Sequence, residues 1–163
     1  MQDIVKELIE HNITIATMES CTGGAVASAI TNVEGASAIL QFSAVTYSNE
    51  FKIKMGVSYK TLDKHSVYSL ETARDMAKSV SLFSHSRLGV GITGRFNRED
   101  VNNPGGETDM VYIAIYDSYE EAYYEMISKS MPCPRIENKE IIIQHVKNML
   151  YDFLSDYLSS DQY

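Results

Sequence analysis

Residues 13–24 read ITIATMESCTGG. The β-branched run Ile13–Thr14–Ile15 leads through Thr17, Met18 and Glu19 into three small hydroxyl or thiol residues, Ser20, Cys21 and Thr22. Gly23 and Gly24 follow, then the helix-forming run from Ala25 to Ile30. The pattern is strand, sharp turn, helix. Such a turn exposes the side chain at its apex and aims the free N–H groups of the new helix at the same point. A nucleophile and an oxyanion site can then come from one short segment. A Ser or Thr that merely caps the helix is the plainer reading of the same residues.

Working outward, residues 2–10 place Ile4, Val5, Leu8 and Ile9 on one helical face, and His11–Asn12 end that helix. Residues 39–47 (ILQFSAVTY) read as a second, largely buried strand. Ser48 and Asn49 then offer capping side chains for a short helix, Glu50–Met55. Lys52 and Lys54 point in different directions on that helix, so at most one faces inward. Ser58 and Thr61 fall in a turn-rich stretch, and Ser69 opens a longer helix running to about Ser84. Residues 87–93 (RLGVGIT) form a third strand, followed by an irregular loop, 94–109, in which Arg95 and Arg98 are the only cationic groups. A loop of that length in a compact domain is usually functional or disordered. Strands at 110–116 and about 121–128 come next, the second alternating as an edge strand does. Pro132 and Pro134 end the sheet, and a last helix spans about Asn138–Leu158.

The early strand–helix alternation predicts an α/β fold: a three-layer α/β/α domain over residues 1–163, with a mainly parallel mixed sheet containing an antiparallel strand. Ligands of such sheets bind beyond the carboxyl ends of the strands, where Ser20, Tyr47 and Gly94 converge. A net charge of −8 argues against a general nucleic-acid or membrane-surface role, because both need a positive face. Cys21 and Cys133 form no metal or redox spacing, and no histidine has a partner suggesting a metal. With no signal peptide and no apolar run of spanning length, a reducing cytosol is the expected home.

Ser20 has no well-placed histidine to activate it. A lysine can serve if desolvation and neighbouring charges leave it partly neutral, and Lys52 is the candidate, with Tyr47 to relay a proton or orient it. Cys21 is the competing nucleophile, since a helix N-terminus lowers a thiol pKa. Thr93, Gly94 and Arg95 either bind a phosphate through N–H and guanidinium groups or form a plain turn.

These residues carry a resemblance. Glu19–Ser20–Cys21–Thr22–Gly23–Gly24, Val45–Thr46–Tyr47–Ser48–Asn49–Glu50–Phe51–Lys52–Ile53–Lys54, Gly91–Ile92–Thr93–Gly94 and Val111–Tyr112–Ile113 are similar to blocks of the CinA carboxy-terminal domain family. The resemblance covers essentially the whole chain, without the molybdopterin-like domain that precedes it in two-domain members. It implies an amidohydrolase without metal or other cofactor, converting nicotinamide mononucleotide to nicotinic acid mononucleotide and ammonia, and a homodimer. It assigns the nucleophile to Ser20, the base to Lys52 and a supporting role to Tyr47. Substrate contacts are expected from Cys21, Thr22, Gly23, Gly24, Thr93, Gly94, Arg95 and Arg98. Two stretches depart from the family pattern: Arg95–Phe96–Asn97–Arg98–Glu99–Asp100 replaces a loop close to Gly-Pro-x-Gly-Gly, and Asn138–Lys139–Glu140 replaces Asp-Arg-Glu. Both touch the expected recognition region, so a different amide substrate, or a nucleotide-binding module without turnover, are the alternatives. Arg95 or Arg98 would then supply the phosphate contacts.

Overall fold

In a computed structural model, residues 1–160 are described. The elements run α1 (Gln2–Glu10), β1 (Ile15–Glu19), α2 (Ala25–Thr31), a 3-10 turn (Ala36–Ala38), β2 (Leu40–Val45), α3 (Asn49–Lys54), α4 (Tyr59–His65), α5 (Leu70–Ser84), β3 (Leu88–Gly94), β4 (Met110–Asp117), β5 (Ala122–Lys129) and α6 (Arg135–Ser160). The sheet order is β2-β1-β3-β4-β5. β1 pairs in parallel with β2 and β3, while β4 runs antiparallel to both β3 and β5. The α/β class and mixed sheet are as predicted, but reversal of β4 makes half of the four pairings antiparallel.

Strand alternation sorts the core into two halves. Ile15, Leu88, Val90, Ile92, Val111, Ile113 and Ile115 face α1, α2 and α6. Ala16 and Met18 face the other way, onto Met76 and Val80 of α5. Gly89 and Gly91 belong to this second face, where a Cβ would come within 2.0 Å of the Ala77 carbonyl and 2.1 Å of the Ala73 carbonyl. The glycines of β3 therefore let α5 lie directly on the strand. No helix of the described residues is long and apolar enough to cross a membrane.

Three expectations need correction. β2 is not largely buried: it is an edge strand whose residues alternate between half-buried and exposed, because no strand pairs with its outer side. The turn-rich stretch after Ser58 folds as α4, a helix with no fully buried residue and hence little apolar periodicity to read. The last helix begins at Arg135 rather than Asn138. Asn138 is buried, and its side-chain amide donates to the carbonyls of Met131 and Cys133, tying the approach to the helix in place.

Candidate active site

The turn after β1 is built by one buried carboxylate. Glu19 is fully buried and accepts hydrogen bonds from the N–H groups of Gly24 (3.1 Å), Val26 (3.1 Å) and Ala27 (2.9 Å). Its Oε1 also accepts from the Thr17 hydroxyl. The first turn of α2 is thus capped by Glu19, not by Ser20 or Thr22, and its amides do not point at a ligand. Gly23 (φ +62°) and Gly24 (φ +90°) both take the left-handed conformation that lets the chain double back over this carboxylate. Among the described residues, the N–H groups left without a protein acceptor in the turn are those of Cys21 and Thr22.

Ser20 stands at the apex, its own N–H bonded to the Ile92 carbonyl. The Lys52 amine lies 3.3 Å from Ser20 Oγ and donates to the Thr46 carbonyl at 2.7 Å. Lys52 is 1% exposed, whereas Lys54 pairs outward with Glu50. One inward and one outward lysine is the arrangement their helical spacing requires. Burial lowers the Lys52 pKa to about 8, against partial opposition from Cys21 and Asp100. Cys21 is pushed the other way: desolvation, outweighing Arg135, raises its thiol to about 12. As a nucleophile it is therefore suppressed.

Ser20 and Cys21 open onto a cavity of about 470 Å³ at the carboxyl ends of the strands, also lined by Tyr47, Asn49, Tyr68, Gly94, Arg98, Asp100 and Arg135. Tyr47 is 64% exposed on its rim, and its hydroxyl accepts from Arg135 at 3.2 Å. The recorded partners of the Lys52 amine are Thr46 and Ser20, so the Thr46 carbonyl holds the lysine, not Tyr47. Thr22, Gly23, Gly24 and Thr93 do not line the cavity. The Thr93 hydroxyl is spent on the Val67 carbonyl at 2.8 Å.

Arg95 also lines the cavity, but its guanidinium is already engaged. Its guanidinium is buried beneath the 94–109 loop, donating to the carbonyls of Asn103, Gly105 (2.7 Å) and Glu107 (3.2 Å), and stacks on Tyr68 with 4.1 Å to the ring centroid. The loop is ordered around a charge rather than around glycines. Arg98 is exposed on the cavity wall. Arg135, which the sequence reading missed, faces it from the first residue of α6, over the Phe96 ring. Its only signal was a cation directly after Pro134, where a helix can begin. Among the described residues no cluster of three His, Cys, Asp or Glu side chains could hold a metal.

Comparison with known proteins gives the family. The family model described as "CinA C-terminal domain" matches residues 1–154. A competence-damage inducible protein of Caldanaerobacter subterraneus subsp. tengcongensis is 36% identical over 156 residues, covering 94% of this chain and 37% of that protein. One from Clostridium perfringens is 41% identical over 111 residues, 67% of this chain and 26% of that protein. The chain thus spans between about a quarter and a little over a third of the length of these relatives. A solved CinA-superfamily protein of Klebsiella pneumoniae superposes with a TM-score of 0.85 at 20% identity, covering 95% of both chains. A competence/damage inducible protein of Agrobacterium tumefaciens gives 0.76 at 25% identity, covering 94% of this chain and 93% of that one.

Proposed function

The chain belongs to the CinA C-terminal domain family, and from this premise we propose that it is an amidohydrolase acting on nicotinamide mononucleotide. One observation carries the reading: a lysine amine withdrawn from water and 3.3 Å from the Ser20 hydroxyl. A buried amine close to neutrality in pKa is a base that can take a hydroxyl proton, in a site with no histidine to do so.

In the reaction, Lys52 takes the Ser20 proton as Oγ attacks the carboxamide carbon. A C–O bond forms and the carbonyl electrons move to oxygen, where the N–H of Cys21, which lines the cavity beside Ser20, is the donor offered to the oxyanion. Collapse re-forms the carbonyl and breaks the C–N bond, and the Lys52 ammonium returns its proton to the departing nitrogen, releasing ammonia. Water, deprotonated by Lys52, then cleaves the acyl-serine and liberates the acid. A pyridinium ring draws electrons from the carbonyl and so suits a modest nucleophile. Arg135 and Arg98 line the cavity and are the exposed cations offered to the phosphate, while the Arg95 guanidinium, also in the lining, is engaged by loop carbonyls.

The test is ammonia release from nicotinamide mononucleotide by the purified protein. Ser20→Ala is expected to abolish it, and Lys52→Met to lower kcat by about 100- to 10,000-fold. Retained turnover in Ser20→Ala removes the mechanism. Ligand-induced thermal stabilisation without ammonia from this or related amides identifies a nucleotide-binding module instead.

A further inference from the structure

Beside the Ser20–Lys52 pair, three side chains form a hydrogen-bond relay with a fixed direction. Asp100 Oδ2 accepts from Asn103 Nδ2 (2.7 Å) and from the Tyr68 hydroxyl (2.5 Å), and its Oδ1 accepts from the Asn102 N–H (2.9 Å). These bonds, that of Asn103 foremost, hold the Asp100 carboxyl below its ordinary range, so it is ionised and has nothing to donate. Asn103 must therefore turn its amide nitrogen to the carboxylate. Its Oδ1 is left facing α3, where it accepts from Asn49 Nδ2 at 2.7 Å. That bond orients Asn49 in turn. Reversing either amide would set oxygen against oxygen or nitrogen against nitrogen.

The free end of the relay is Asn49 Oδ1, buried and without a hydrogen-bond partner among the described residues. A buried acceptor left unpaired is costly and calls for something that completes it. Asn49 lines the same cavity as Ser20 and Cys21. It lies three residues before Lys52 on α3, hence on the same helical face.

We propose that Asn49 Oδ1 receives the N–H2 group of a primary carboxamide, and that Asp100, acting through Asn103, is the positioning residue that keeps this end of the relay an acceptor. The identity of the site rests on the amidohydrolase reading; the relay adds how an amide is told from its acid. A carboxamide donates to Asn49, whereas the carboxylate formed by hydrolysis meets it oxygen to oxygen. The cavity accordingly holds substrate and expels product. Asp100 ends the stretch that departs from the family pattern and Asn103 follows it in the same loop, so the altered loop belongs to the recognition apparatus.

The full chain carrying Ser20→Ala binds without turning over, and its affinities for nicotinamide mononucleotide and nicotinic acid mononucleotide are measured by titration calorimetry. The amide is expected to bind at least about tenfold more tightly than the acid. Adding Asn49→Ala, Asp100→Asn or Asn103→Ala is expected to bring the two affinities within about twofold. Asn103→Ala is the decisive variant, because it cuts the relay and leaves the Asp100 charge in place. Discrimination that survives Asn103→Ala overturns the relay, and so does failure of the amide to bind the folded protein. Ammonia release by the wild-type chain is scored separately. Turnover with discrimination unchanged in the variants removes the relay and leaves the hydrolase; discrimination without turnover does the reverse.

Discussion

Lys52 is the residue on which stability and chemistry pull in opposite directions. In the unfolded chain its amine titrates near the ordinary 10.5, in the fold at about 8. Between those values the unfolded state binds more protons, so burial of this lysine costs most below pH 8, and the cost fades as pH rises towards 10.5. Lys52→Met is therefore expected to stabilise the fold at pH 7 by an amount on the order of 2 kcal/mol, seen as a higher melting temperature, with the advantage shrinking between pH 8 and 10.5. Calorimetric melts across that range check both the sign and the window. The wild-type kcat/KM is expected to climb as pH rises through 8, as the amine loses its proton. The inward placing of Lys52 rather than Lys54 follows the sequence reading: helical spacing lets only one face inward, and the resemblance points to Lys52. Arg95 shows the opposite outcome. An arginine in a loop reads as a ligand contact, and only the surrounding carbonyls of Asn103, Gly105 and Glu107 reveal that this one also clasps the loop.

Among the elements, the turn joining β1 to α2 depends on Glu19. Its replacement by Ala leaves three N–H groups without their acceptor in a buried place. A loss of about 3 kcal/mol or more is expected, seen as a melting temperature lowered by roughly 6–12 °C. The contact between α5 and β3 is just as demanding. Gly91→Ala puts a methyl 2.1 Å from the Ala73 carbonyl and 2.5 Å from the Ala77 nitrogen. These are backbone atoms that cannot rotate aside, so denaturant unfolding should reveal destabilisation of several kcal/mol or loss of the folded state. The strongly periodic elements, α1, β1, α5 and β4, were readable because each has a wholly apolar face or run. α4 was not, since a short helix that buries no residue completely leaves no such trace. β2 was misjudged because hydrophobicity reports that a strand is covered on a face, not that its edge is unpaired.

At the scale of the molecule, the 94–109 loop forms one wall of the cavity, is held together by Arg95, and is tied to the body by Arg95 stacking on Tyr68 and by the Asn103–Asn49 bond. Arg95→Ala is expected to expose residues 99–107 to protease while moving the global melting temperature by only a few degrees, because the core lies elsewhere. Limited proteolysis beside a thermal melt separates the two effects. A second copy of the chain is the proposed partner: Val45, Tyr47, Phe51 and Ile53 leave apolar side chains exposed beside the cavity. Sedimentation is expected to give twice the chain mass. The sequence by itself determined the layers, the strand–turn–helix that carries Ser20, and the end of the sheet where the cavity opens, because these follow from side-chain periodicity and from turn residues close together in the chain. Tertiary structure alone decided how far Lys52 lost its water, which carboxylate capped α2, and which arginine was consumed by the loop. Each of those outcomes depends on hydrogen-bond partners and exclusion of solvent supplied by distant segments, and no local pattern encodes them.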